Sequence, residues 1–184
     1  MGDRELKQEV RRAAKGDEEA AAYLFDTYHP RVFRYALAKL GSTSDAEDVA
    51  AETFAVVLRE LPRFKWKGAG FEAWLFRIAA NQIVDSVRRG GKEWATEDGF
   101  VGEEMPYDRT PELQVLERET SRELSEMLQH LTAEQREVLL LRFAAGLNTN
   151  ETAETMGRKP NAIRQLQFRA LAAVREQMDR EVRT

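Results

Sequence analysis

The chain has no cysteine and only two histidines in 184 residues. The first absence excludes disulfides, thiol nucleophiles and cysteine-ligated zinc. His29 and His130 stand far apart, so each reads as a surface or helix-end residue rather than a ligand, and neither a metal nor a cofactor is expected. No apolar run approaches the roughly 18 residues that a membrane-spanning helix needs. The opening "MGDRELKQEVRRAAKGDEEA" is charged throughout. It is not expected to act as a secretory leader, so the expected location is the cytoplasm, with no membrane insertion. No stretch alternates with period two, so no strand is expected. A nucleophile beside a base and a phosphate-cradling glycine loop are both missing, which argues against an enzyme.

What is present is charge, sorted by segment. Acidic residues outnumber basic ones 32 to 28, and a net charge of −4 argues against indiscriminate binding to nucleic acid. Yet residues 59–92 carry eight basic and three acidic side chains, and residues 158–175 carry five basic and none acidic. The acidity concentrates between them, with seven acids and one base over 93–112.

Nearly every other segment has helical spacing. Tyr23, Leu24, Tyr28, Val32, Phe33, Ala36, Leu37 and Leu40 form one stripe, which Pro30 is expected to split and Gly41 to end. Ser44 and Glu47 have the spacing of a capping box for the next helix, which stops before Pro62. "FEAWLFRIAANQIVDSVRR" is a further helix, with Phe71, Trp74, Leu75, Ile78, Ala79 and Ile83 as its core stripe. Residues 90–110 hold four glycines and no stripe, which suits a linker. Helix resumes at Thr110-Pro111, and Thr132/Gln135 and Asn148/Glu151 are two more capping boxes. The expected fold is all-α: two small helical domains, 1–90 and 111–184, on a flexible acidic linker, 91–110.

"LTAEQREVLLLRFAAGLNTNETAETMGRKPNAIRQLQFRALAAV" parses as a helix over 133–145, a Gly146 stop, a short helix over 149–156, a turn at Gly157 and a basic helix from Pro160. These are the ingredients of a helix-turn-helix. Ile163, Leu166, Ala170, Leu171 and Val174 make the buried stripe of the last helix. Asn161, Arg164, Gln165, Phe168 and Arg169 then turn outward on the half that enters a major groove. Arginine can bind guanine edges, glutamine adenine, and phenylalanine a thymine methyl. A solvated basic helix explains the charge but not an exposed phenylalanine between Gln165 and Arg169. The segment resembles region 4 of bacterial sigma factors, especially the extracytoplasmic-function (ECF) group. That resemblance implies reading of the −35 promoter element by Lys159, Asn161, Arg164, Gln165, Phe168 and Arg169. Thr152 and Thr155 stand where the family usually has apolar residues, and Lys159 where it usually has a serine or threonine cap.

In "DAEDVAAETF", Asp45, Asp48 and Glu52 share one helical face. The helix dipole accounts for acids in the first turn but less well for Glu52. The stretch is similar to region 2.2 of the same family, which implies docking of Asp45, Asp48 and Glu52 on the clamp helices of RNA polymerase. "RFKWKGAGFEAWLFRIAANQIVDSVRR" resembles regions 2.3 to 2.4. That implies −10 element binding by Lys65, Trp66, Lys67, Arg77, Asn81, Gln82, Asp85, Arg88 and Arg89. The chemistry agrees: the lysines meet phosphates and Trp66 offers a face to an unpaired base. The competing reading makes Trp66 a core plug.

The resemblance spans both halves and implies an ECF-type sigma factor. Its expected partners are core RNA polymerase, promoter DNA and an anti-sigma factor. Two rivals stand beside it. A sigma mimic would sequester an anti-sigma factor without touching DNA, and a dimeric helix-turn-helix repressor would have no use for the acidic face or the tryptophan loop.

Overall fold

The computed structural model describes residues 2–90, 128 and 130–181, and within them all regular structure is helical. The expected linker and the helix start at Thr110-Pro111 lie outside the described residues. The first lobe contains α1 (Asp3–Ala13), α2 (Glu18–Leu40), α3 (Thr43–Glu60), a short 3-10 turn (Leu61–Arg63) and α4 (Gly70–Gly90). The second contains α5 (Ala133–Leu139), a π-helical turn (Leu140–Ala144), α6 (Thr149–Thr155) and α7 (Pro160–Glu181).

The caps follow local chemistry. Thr132 and Asn148 each close a capping box with Gln135 and Glu151. Gly41, Gly146 and Gly157 take φ of 67°, 71° and 63°, the left-handed region where glycine ends a helix without strain. Two expectations need correction. The cap of α3 is Ser42, whose Oγ accepts from the amide of Asp45 at 3.3 Å, so Ser44 lies inside the helix. Pro30 does not split α2, which runs on through it. A mid-helix proline costs about 3 kcal/mol, but Leu24 and Tyr28 before it and Val32, Phe33, Ala36 and Leu37 after it are buried in one core. Burying each such side chain gains about 1.5–3 kcal/mol, so continuity wins.

The first core gathers Leu24, Tyr28 and Val32 of α2, Val49, Phe54 and Val57 of α3, and Phe71, Leu75, Ala79 and Ile83 of α4. Helix α4 buries more than its stripe: Ala73 and Phe76 are also inaccessible. The second core is small, with Val138, Leu139, Ala153, Ile163, Leu166 and Ala170. Leu171, expected in its stripe, is instead 43% exposed. Thr152 and Thr155 donate their hydroxyls to the carbonyls of Asn148 and Glu151, both at 2.8 Å, so polar residues serve at those positions without an unmet bond.

The two lobes close against each other. Leu140, Leu141, Ala145 and Leu147 belong to the second lobe in sequence but pack into the first lobe's core. Arg31 of α2 is the centre of the seam. Its Nε donates to the carbonyl of Ala145 (2.7 Å), one Nη to that of Gly146 (3.3 Å) and the other to Glu72 (2.5 Å). Glu137 accepts from the Tyr35 hydroxyl at 2.5 Å and from Lys39 at 2.6 Å. Burial opposes ionisation of Glu72, but bonds from Arg31, Glu151 and Tyr28 outweigh it and hold its carboxyl below the usual range. Burial, and then the neighbouring Glu72, push Glu151 up to about 7.

Two outcomes follow from the seam. Arg31→Ala removes the donors to both carbonyls and leaves Glu72 without its cation. It should cost about 2–4 kcal/mol in denaturant unfolding and raise the radius of gyration seen by small-angle X-ray scattering. Glu151 titrates higher folded than its ordinary 4.5, so the folded state holds a proton that the unfolded chain releases. Its contribution is therefore present at low pH and lost as pH rises through about 7. Between pH ~5.5 and ~8 the melting temperature should fall by about 2–4 °C, and Glu151→Gln should flatten that fall.

Candidate nucleic-acid and polymerase interface

Helix α7 presents a face built by its own periodicity. Ile163, Leu166 and Ala170 point into the core, so Asn161, Arg164, Gln165, Phe168 and Arg169 are all exposed. Phe168 is 75% exposed. Arg164, Gln165, Phe168 and Arg169 together line a surface depression of about 380 Å³. Arg164 is steadied by Asn161 Oδ1 at 2.6 Å, and Arg169 leans on the carbonyl of Gln165 at 3.4 Å. Lys159 is exposed just before the helix, and its carbonyl accepts from Ile163 at 3.2 Å. The six expected residues thus share one surface. They present cationic forks, an amide and an exposed ring, which suits base edges and phosphates.

The tryptophan loop joins the 3-10 turn to α4. Lys65 and Lys67 are exposed, while Trp66 is half-buried. Its ring meets Phe64 edge-on at 5.9 Å, and Lys7 Nζ lies 5.1 Å from its centroid. Gly70, at φ 84°, gives it room: a Cβ there would stand 2.8 Å from the indole. Trp66 therefore serves partly as packing and keeps some surface outward. On α4, Arg77, Asn81, Asp85, Arg88 and Arg89 are exposed and Gln82 is half-buried.

Several expected contacts are occupied within the chain. Arg77 donates to the carbonyl of Glu154 at 2.7 Å. The carboxylate of that same Glu154 accepts from the amide of Ala69, and Gly68 leaves the space it fills. So α6, the first helix of the helix-turn-helix, sits against the start of α4. Glu154 was not foreseen: its contacts lie 77 and 85 residues away in sequence, and no local pattern marks it. On α3, Asp48 is exposed and Asp45 and Glu52 are half-buried. Arg89 grips Glu52 with both Nη atoms, at 3.0 and 2.7 Å, and that bonding holds the Glu52 carboxyl below its usual range. One residue expected at polymerase and one expected at DNA are therefore partners of each other here.

Residues 24–93 match the family description Sigma-70 region 2, and residues 121–174 match Sigma-70 region 4. The ECF RNA polymerase sigma factor SigD of Mycobacterium tuberculosis is 34% identical over 182 residues, covering 97% of this chain and 85% of that protein. The ECF RNA polymerase sigma factor BldN of Streptomyces coelicolor is 35% identical over 162 residues, or 88% of this chain, which spans only 61% of BldN. Among solved structures, that of CnrH in complex with the cytosolic domain of CnrY has the same fold, with a TM-score of 0.69 at 24% identity over 93% of this chain and 95% of CnrH. Both regions occur in order, and similarity to SigD runs over 97% of this chain: the chain belongs to the ECF RNA polymerase sigma factors of the sigma-70 family.

Proposed function

We propose that this chain binds core RNA polymerase, recognises −35 and −10 promoter elements and promotes DNA melting for transcription initiation. The observation that carries the reading is the outward face of α7. A phenylalanine 75% exposed between cationic forks on a helix-turn-helix has no use in a bundle and a direct one in a major groove. On this reading, residues 1–90 contact polymerase and the −10 element, residues 91–110 link, and residues 111–184 read the −35 element. Asp45, Asp48 and Glu52 dock on polymerase. Lys65, Trp66, Lys67, Arg77, Asn81, Gln82, Asp85, Arg88 and Arg89 hold the −10 strand. Catalysis of phosphodiester bonds stays with polymerase. The site of action is the cytoplasm; no helix among the described residues is long and apolar enough to cross a membrane. An anti-sigma factor is the proposed regulator. Run-off transcription with purified core polymerase tests the whole reading.

Two variants test its parts. Asp48→Lys with Glu52→Lys should weaken binding to core polymerase by about tenfold, or about 1.4 kcal/mol. Loss of the exposed Glu52–Arg89 pair should cost less than about 1 kcal/mol of stability, so calorimetry separates docking from folding. In competition against randomised −35 duplexes, Arg164→Ala should cost about 1–3 kcal/mol and relax preference at one position. Arg175→Ala, farther along α7, should at most lower affinity evenly across sequences, as loss of a phosphate contact does. Equal, sequence-independent losses in both would leave α7 a charged surface only.

A further inference from the structure

Helix α1 carries a basic face that the reading above leaves unused. Arg4, Lys7 and Arg11 follow one another at three- and four-residue steps, so they stack along one side of the helix, and Lys15 follows in the turn after it. With Gln8 and Arg12 they line a groove of about 290 Å³. The opposite side holds Leu6, Val10 and Ala13 in the first core. Of the acids nearby, Glu9, Asp17 and Glu19 pair with Arg12 and Glu5 caps the helix through the amide of Gly2, while Asp3 stands exposed in the first turn. Arg4, Lys7, Arg11 and Lys15 form no ion pair among the described residues. Four uncompensated cations in a row on a chain of net charge −4 are a local concentration of field, not a consequence of composition.

The position of this face gives it a partner. Lys7 lies over the Trp66 ring at 5.1 Å, so the basic row passes beside the tryptophan loop. Lys65 and Lys67 flank that ring and are exposed. From Arg4 to Arg11 the row runs about 10 Å at 1.5 Å per residue, and Lys15 extends it past the helix end. A single strand is more extended than a duplex strand, which advances about 3.4 Å per nucleotide, so only a few phosphates pass along the row.

We propose that the α1 face of Arg4, Lys7 and Arg11, with Lys15 in the turn after it, is a phosphate track that continues the tryptophan loop and holds the backbone of the single DNA strand beside it. The inference rests on the reading of that loop as a single-strand site and extends it to a second helix. The track supplies affinity and no base specificity, because aligned point charges meet the phosphates that every sequence shares. Lys7 has two tasks, covering Trp66 and opening the track. Arg12 has a structural one, since its three acids engage it.

The test uses the full chain and fluorescent oligothymidylates of about 4 and about 16 nucleotides, read by anisotropy over increasing salt; binding of this kind tolerates any base. The track variant is Arg4→Ala, Arg11→Ala, Lys15→Ala, which leaves Lys7 on Trp66 and raises helix propensity on α1. The loop variant is Lys65→Ala, Lys67→Ala. The track variant should bind the long probe roughly tenfold more weakly at low salt. Its slope of log affinity against log salt should become shallower by about 2, at about 0.7 per lost phosphate contact on a single strand. Binding of the short probe should stay as in the unmodified chain. The loop variant should lose affinity for both probes. If the loop variant weakens both probes and the track variant matches the unmodified chain on the long one, the α1 track is wrong and the loop reading stands. If neither variant changes either probe, both are wrong.

Discussion

The closed arrangement of the two lobes depends on Arg31. Its guanidinium serves three acceptors at once: the carbonyls of Ala145 and Gly146 and the carboxylate of Glu72. Those two carbonyls belong to the segment where the π-helical turn ends and Gly146 turns left-handed. A helix end leaves carbonyls without intrahelical partners, and burying them unmet would be costly. A planar fork with several donors meets them and a counter-charge together, which an ammonium would do less well. Everything else at the seam follows from that docking. Leu140, Leu141, Ala145 and Leu147 enter the first core, Glu137 reaches Tyr35 and Lys39, and Glu154 reaches the start of α4.

The same closure bears on electrostatics. An acidic chain that must keep cationic surfaces has to balance them internally or hold them outward. Both occur. Arg77 and Arg89 are engaged by Glu154 and Glu52, whereas among the described residues Arg164 and Arg169 on α7 hydrogen-bond within their own helix. Donors spent on Glu154 and Glu52 are not offered to phosphate, so under the proposed −10 role the exposed pairs would have to exchange partners when a strand arrives. Each such exposed pair is worth at most about 1 kcal/mol, a small cost beside several new phosphate contacts.

Much of the fold was legible in local pattern. The helices, the capping boxes at Thr132 and Asn148, and the glycine stops at 41, 146 and 157 are short-range chemistry, and they appear where their residues predict. So does the outward face of α7, because burial of Ile163, Leu166 and Ala170 leaves Arg164, Gln165 and Phe168 only one direction. The misreadings came from competition. Ser42 and Ser44 offer the same hydroxyl two residues apart, and only the path of the chain after Gly41 selects the cap. Pro30 signals a break, yet apolar residues on both sides share a core that holds the helix together.

The run Val138-Leu139-Leu140-Leu141 shows where sequence stops. Four successive apolar residues exceed any single helical stripe, and the pattern alone does not say why. In the structure Val138 and Leu139 belong to the second core and Leu140 and Leu141 to the first, with the π-helical turn between α5 and Gly146 adjusting the register. The sequence by itself determined most of the helices, their glycine stops and the outward face of α7, since each depends on residues within a few positions. Only the tertiary structure decided that the lobes close on each other, that Glu154 covers the loop before α4 and that Lys7 joins α1 to Trp66. Those contacts pair groups tens of residues apart through burial and charge, and periodicity carries no information about which distant partner fills a face.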